Sequence, residues 1–470
     1  MQISDIAMRA IAAPAVSSGD TAWVLICAAM VLLMTPGLAL FYGGMVRSKN
    51  VLNMIMMSFL CMGLVTIIWV FYGFSLTFGT DIGAGLLGGL NYIGLDGTLD
   101  AVVGEEGSQI PMLAFSVFQL TFAILTAALL SGAVADRVRF GGWVVFIGLW
   151  ATFVYFPIAH WAFAFDDGAG GWIGDRLGAL DFAGGTAVEI NSGASALALA
   201  IVVGRRIGWR REPMRPHSLP LVLLGAGLLW FGWFGFNAGS ALMSGQLTAT
   251  VFMNTQVATA AAALSWILVE RFRDGKPTTL GVASGVVAGA VAITPACGYV
   301  TPLGAMAIGA AGGAICSLAI GLKYKFGYDD SLDVVGVHGV GGLVGMIGIG
   351  LLATTAANPA GSNGLFVGGG AGLLGKQVLA SLATLVYAFA ITALLAYIVD
   401  KTVGLRVSPE DERMGLDVSE HAESAYDFAG ASGGVFSGMG HAGHGPTSPG
   451  KTGTEPSGRN SSPRTNPEET

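Results

Sequence analysis

Residues 21–43 read TAWVLICAAMVLLMTPGLALFYG, twenty-three positions without one acidic or basic side chain. At ~1.5 Å of rise per residue, a helix of this length can cross the ~30 Å hydrocarbon core of a bilayer. The run shows no period-two alternation. In lipid only helices and closed barrels satisfy their own backbone groups, so the stretch reads as a membrane helix. Ten further apolar runs fall near 51–76, 111–134, 141–163, 183–204, 218–241, 250–270, 278–297, 303–321, 334–355 and 373–400, divided by polar breaks. The predicted fold class is an all-α integral membrane protein with eleven transmembrane helices filling residues 21–400.

Composition agrees with this reading. Hydrophobic residues make up 53% of the 470 and charged residues 11%, with mean hydropathy +0.66, whereas a soluble domain carries about 25% charged residues. The net charge of −7 says little about partners, because residues 405–470 hold ten Asp/Glu against five Lys/Arg. Cys27, Cys61, Cys297 and Cys316 all lie in apolar stretches with no CxxC pair or His cluster, so they read as packing residues and no metal site is expected. Residues 1–20 read as an extracytoplasmic N-terminal segment. Ala10-Ile11-Ala12 has the small-x-small form of a signal cleavage site, but Asp5 and Arg9 interrupt the stretch before it. The balance is against cleavage, which is left open.

Lys and Arg cluster in alternate loops. Arg47 and Lys49, Arg137 and Arg139, Arg205 to Arg215, Arg271 to Lys276, and Lys323 with Lys325 mark one side. The other side holds Arg176 and Lys376 and is rich in acid, including Asp81, Glu105, Asp166 and Asp175. The positive-inside rule then puts the N-terminus outside and the C-terminus inside. An odd helix count lets spans one to five and six to ten run in opposite senses, an inverted five-plus-five repeat plus one helix. A faint internal match pairs Leu180-Asp181-x-x-Gly184 with Leu332-Asp333-x-x-Gly336. The 72 glycines, dense in spans eight to ten, suit close helix approach through small-residue faces. Residues 401–428 form a cytoplasmic tail, and 429–470, rich in Gly, Ser and Pro, are expected to be disordered.

Ionisable residues inside spans carry the sharpest chemical signal, since a charge at mid-bilayer costs at least ~2.5–3.5 kcal/mol. Two stand out, Glu189 and His338. His338 has no side chain beside it in sequence that can hydrogen-bond it, so its partner must come from another helix. A carboxylate and an imidazole together suit a proton or cation path. The alternative is a structural polar pair that holds two helices together. Phe118 and Phe122 stand four apart on one helix face, and Trp233, Phe234 and Phe236 surround Gly235; such aromatic residues are either pore-lining or ordinary core. Ser240 can accept from a small cation.

Five blocks carry a resemblance: Thr35-Pro36-Gly37-Leu38-Ala39-Leu40-Phe41-Tyr42-Gly43-Gly44, Asp181-Phe182-Ala183-Gly184-Gly185-Thr186, Gly232-Trp233-Phe234-Gly235-Phe236-Asn237-Ala238-Gly239-Ser240, Thr294-Pro295-Ala296-Cys297-Gly298-Tyr299 and Gly336-Val337-His338-Gly339-Val340. In this order they resemble the ammonium transporter family (Amt/Mep/Rh), specifically its bacterial Amt branch, from about Trp23 to Tyr426. The resemblance implies a homotrimer in the cytoplasmic (inner) membrane with one pore per subunit, taking up ammonium and methylammonium without a cofactor. By motif position Phe118, Phe163 and Ser240 look like the outer recruitment site and Asp181 its structural support. Phe122 and Phe236 look like the pore gate, Glu189 and His338 the pore proton relay, and Thr294 a pore-lining residue in a broken helix.

Two departures stand out. The family usually places Trp three residues after the His of Ile158-Ala159-His160, where this chain has Phe163, with Trp161 and Trp172 nearby. The first of the family's two pore histidines is here Glu189, a position where some fungal Mep proteins are also acidic. The tail blocks Val403-Gly404-Leu405-Arg406-Val407 and Gly415-Leu416-Asp417-Val418 resemble a familial segment that packs under the neighbouring subunit, close to where PII-type signal proteins dock. The rival reading is an ammonium sensor signalling through this tail. An enzyme is disfavoured, because no His-Glu-x-x-His, Gly-x-Ser-x-Gly or dinucleotide motif occurs, and no nucleic acid partner is expected.

Overall fold

The computed structural model describes residues 16–426. The possible cleavage site at Ala10-Ile11-Ala12 and the extension 429–470 lie outside the described residues. Among the described residues ten helices are long and apolar enough to cross a membrane. In chain order, with a shorter eighth helix, they are α1 (Ser18–Met45), α2 (Val51–Phe78), α3 (Met112–Val134), α4 (Phe140–Phe163), α5 (Gly185–Val203), α6 (Leu219–Gly239), α7 (Gln246–Arg273), α8 (Thr279–Ile293), α9 (Pro302–Phe326), α10 (Val335–Leu352) and α11 (Gly372–Thr402). Every apolar run thus becomes a helix. A two-residue ribbon, Val102–Val103 against Ile110–Pro111, sits in the loop before α3.

Local chemistry sets several of the ends. Ser17 accepts the Asp20 amide at the start of α1, and Thr301 caps α9 ahead of Pro302 in its first turn, each satisfying an orphan donor. α8 stops after fifteen residues where Thr294-Pro295 interrupts the backbone ladder, since proline has no N–H to continue it. The freed groups are re-used: Phe182 N–H donates to Pro295 O, and the Asn254 amide donates to the carbonyls of Cys297 and Val300. Small residues bring helices together as expected. A Cβ on Gly309 would stand 2.2 Å from Ala258 O, and one on Gly313 2.3 Å from Ala262 O. Large apolar side chains stay exposed along the spans, among them Ile67, Leu264 and Val386, as a lipid-facing surface requires.

The two helices that carry Glu189 and His338 share one plan. Each opens with a wider π turn, Gly185–Ile190 in α5 and Val335–Gly339 in α10. Glu189 and His338 are 149 residues apart, and at the same offset Asp181 and Asp330 accept the first amides of their helices. The sequence match that set Asp333 against Asp181 is therefore out of register by three residues. Asp333 instead pairs with Lys323 at 2.7 Å.

The basic loops gather into a buried knot. Asp136 takes Arg47 and Arg206 at 3.1 and 3.4 Å, and Arg206 also pairs with Asp329 at 2.9 Å. Arg137, fully buried, donates to the carbonyls of Ala133, Ala135, Gly204 and Asp329 and to the Ser331 hydroxyl. The tail carries two short helices, α12 (Pro409–Met414) and α13 (Leu416–His421). It docks on these loops: Val407 N–H donates to Arg137 O, Glu412 accepts from Ile207 N–H and Arg406, and Asp417 accepts from Asn53 N–H. The segment thus lies against loops of its own chain.

Candidate functional site

A cavity of about 520 Å³ opens between the loop after α2 and the ends of α3, α4 and α6; Phe122, His160, Phe163, Asp181 and Ser240 are among its lining residues. Four of the expected site residues therefore share one wall. Phe163 ends α4, and Ser240 follows α6 with its hydroxyl donating to Phe236 O at 2.9 Å. Phe118 takes a different place: it is fully buried and meets Phe122 edge-on at 4.9 Å, while Phe115 and Gln119 line the cavity. Trp161 does not stand in for the missing familial Trp. Its ring packs on Trp172 and Tyr387, and its N–H donates to Leu86 O.

Asp181 is fully spent on structure. Its carboxylate accepts the amides of Gly184, Gly185 and Thr186 and the Thr186 hydroxyl. The chain can turn so sharply into α5 because Gly184 sits at φ 120°, where a side chain would be strained. The result is an N-terminal cap that fixes the rotation of the helix bearing Glu189.

Phe122 and Phe236 close the floor of the cavity as stacked rings, centroids 4.1 Å apart and planes 27° apart. Phe236 is held from behind. Thr294 Oγ1 accepts from Trp233 Nε1 at 2.8 Å and bonds Asn237 Oδ1 at 3.2 Å, and Asn237 donates to Thr255. The Thr294 hydroxyl thus ties the break after α8 to the α6 turn that carries the gate ring.

Glu189 and His338 face each other across the two matched helices, with Nδ1 of the ring 2.7 Å from Oε2. Both are buried, and Glu189 Oε1 has no hydrogen-bond partner. The predicted partner from another helix is Glu189 itself. The approach depends on glycine. A Cβ on Gly193 would lie 2.2 Å from Gly339 Cα, and one on Gly342 2.8 Å from Glu189 Cβ. A buried acid and base in contact, with one acid oxygen free, can accept and pass a proton. Among the described residues no group of His, Cys, Asp and Glu is suited to hold a metal.

A second polar cluster escaped the sequence reading. Asp81 Oδ1 accepts from the Gly85 amide at 2.8 Å and lies 3.3 Å from His160 Nε2; Oδ2 pairs with Arg176 at 2.8 Å. His160 Nδ1 is 2.7 Å from Thr77 O. Burial alone would raise the Asp81 carboxyl, but the Gly85 and Gly83 amides, His160 and Arg176 together hold it below the usual carboxylate range. His160 is ionisable and within a span, the same signal that singled out Glu189, but the sequence cannot show that residues 81, 160 and 176 meet.

The family model described as Ammonium Transporter Family matches residues 22–426. The chain is 57% identical over 439 residues to an ammonium transporter of Mycobacterium tuberculosis (strain ATCC 25618 / H37Rv), covering 89% of this chain and 92% of that one. Among solved structures it resembles Saccharomyces cerevisiae Mep2, with TM-score 0.76, 34% identity, and 84% and 91% of the two chains covered. A structure titled Sensor Amt Protein matches with TM-score 0.77, 29% identity, and 86% and 98% covered. A multi-pass helical membrane protein with these motifs, matched along most of its length, belongs to the ammonium transporter family, on its bacterial Amt branch.

Proposed function

We propose that this protein takes up ammonium selectively across the cytoplasmic membrane, working as a homotrimer of eleven-helix subunits with the N-terminus outside and the tail inside. The observation that carries this reading is the Glu189–His338 contact at 2.7 Å, buried beyond the stacked Phe122 and Phe236. Ammonium is captured in the outer cavity by Phe163, Ser240 and the cavity-lining edge of Phe122, where aromatic rings attract a cation, with Phe118 packed behind Phe122 as its support. Asp181 supports this site as a cap. The cation loses its water at the ring pair, and larger hydrated ions lose more than a narrow apolar pore returns. Glu189 and His338 then take the proton, with Oε1 as the free acceptor, and nitrogen and proton pass inward. α8 with its broken continuation makes the eighth of the eleven crossings, and its Thr294 backs the gate ring from behind the pore wall. The tail and basic loops form the face suited to a PII-type signal protein.

Current recorded from reconstituted protein during an ammonium pulse tests this reading. Flux that is lost in Glu189→Gln supports the relay; equal flux in both removes it. The rival is a sensor, favoured by the likeness to the sensor Amt structure, and it requires ligand-dependent signalling through the tail without flux.

A further inference from the structure

The end of α4 carries Phe163 into the outer cavity, and one acidic side chain holds that end from outside the helix. His160 lies one turn before Phe163 and is fully buried, with Thr77 O at one ring nitrogen and Asp81 at the other. The loop that follows α4 is pressed against it: Gly171 N–H donates to Ala164 O at 2.7 Å, and a Cβ on Gly171 would fall 2.0 Å from His160 O. Arg176 clamps this loop through Gly170 O and Ala169 O, and its Nη2 also donates to Asp81. Asp81 therefore touches both holders of the α4 end, the buried imidazole and the loop-clamping guanidinium, while its other amide contacts fix its own turn.

We infer that Asp81 is a positioning residue for the outer ammonium site, acting through His160 and Arg176 to set Phe163 against the cavity. The inference rests on the reading of Phe163 as an outer-site residue. Asp81 itself does not bind the cation. Asp81 also lines the cavity, but Oδ1 is engaged by the Gly83 and Gly85 amides and His160 and Oδ2 by Arg176, so its role is to hold the aromatic wall that attracts ammonium. A charge-assisted contact that fixes such a wall acts on capture and not on passage through the pore.

The test is uptake of isotopically labelled ammonium into proteoliposomes of the full-length protein, measured against concentration for wild type, Asp81→Ala, Phe163→Ala and the double variant. Each single change is expected to raise KM by about tenfold, for Asp81→Ala the loss of a hydrogen bond to a charged group and for Phe163→Ala the loss of an aromatic face for the cation, with the maximal rate changing far less. The double variant should then be no worse than Phe163→Ala alone. Should Asp81→Ala fail to insert, Asp81→Asn keeps an oxygen for the Gly85 amide and is expected to move KM in the same direction. Unchanged KM in the Asp81 variants, with Phe163→Ala impaired, overturns this inference alone. Multiplying effects in the double variant, or a lowered maximal rate at constant KM, overturn it as well. An unchanged KM in Phe163→Ala overturns the outer-site reading and this inference with it.

Discussion

The segment from Asp181 to Glu189 and the segment from Asp330 to His338 follow one backbone plan and differ in chemistry. Both begin with a buried aspartate that accepts helix amides, pass through a π turn, and bring their ninth residue to the same meeting point. Even the contacts that permit the meeting are exchanged: Gly193 packs on Gly339, and Gly342 packs on Glu189 and Ile190. The difference is that one half offers a carboxyl and the other an imidazole. The fold supplies a symmetric frame, and at its meeting point the sequence sets an acid against a base, an arrangement in which unequal proton affinities are useful if the proposed relay holds.

The most direct way to break the comparison is to make the halves chemically alike. Glu189→Gln keeps volume and hydrogen bonding without an ionisable group, and ammonium-driven current is expected to fall by about tenfold or more. Glu189→His restores the pair of the family's usual pore; transport should survive with a shifted pH optimum. If the frame is truly symmetric, exchanging the two as Glu189→His with His338→Glu should retain current better than either Glu189→Gln or a pore with two carboxylates. Unchanged current and pH dependence in all of these would reduce Glu189 to a structural residue.

The next effect lies above the pair. Phe122→Ala with Phe236→Ala removes the stacked rings, and an apolar constriction acts by excluding water. The double variant is expected to lose discrimination against potassium in the same current assay, and parental selectivity would show the gate to lie elsewhere. Weaker again are the glycine contacts. Gly193→Ala and Gly342→Ala should each destabilise by about 1–3 kcal/mol through overpacking, Gly193 more so because its neighbour is backbone, which cannot swing away. Thermal unfolding in detergent reads the order, and an inverted order would mean that the Glu189 side gives less.

Much of this was legible in the chain because membrane helices are written locally, as unbroken apolar runs; all eleven runs became helices, ten of them among the described residues long and apolar enough to cross a membrane. Glu189 and His338 were legible for the same reason, since a charge inside such a run costs free energy and asks for a use. What the chain hid depends on closeness in space. The repeat register was misread because Asp333 lies beside a matching Leu, while the capping is done by Asp330 three residues earlier, through amides that a sequence does not display. Phe118 was read as facing the cation, but it sits edge-on behind Phe122. The Asp81 cluster joins two loops and a helix end, and no periodicity announces it.

The smallest expected effect separates the two capping aspartates. Asp330 lies in the turn between α9 and α10, and burial pushes its carboxyl up to about 6, with Asp333 adding to the rise and Lys323 opposing it. An acid that holds its proton more tightly in the folded chain than in the unfolded one loses stability as pH rises. The contribution of Asp330 should therefore be greatest below about 4, where both states are protonated, and fall as pH climbs through about 6. Asp330→Asn cannot ionise, so its unfolding temperature should fall less than that of wild type over this interval. Asp181 gives the contrast. Three amides and a hydroxyl meet its carboxylate, so Asp181→Asn is expected to lower stability outright rather than merely change its slope with pH. Parallel pH profiles for wild type and Asp330→Asn would show that Asp330 contributes no pH-dependent stability over this interval, and would overturn the reading that burial raises its carboxyl.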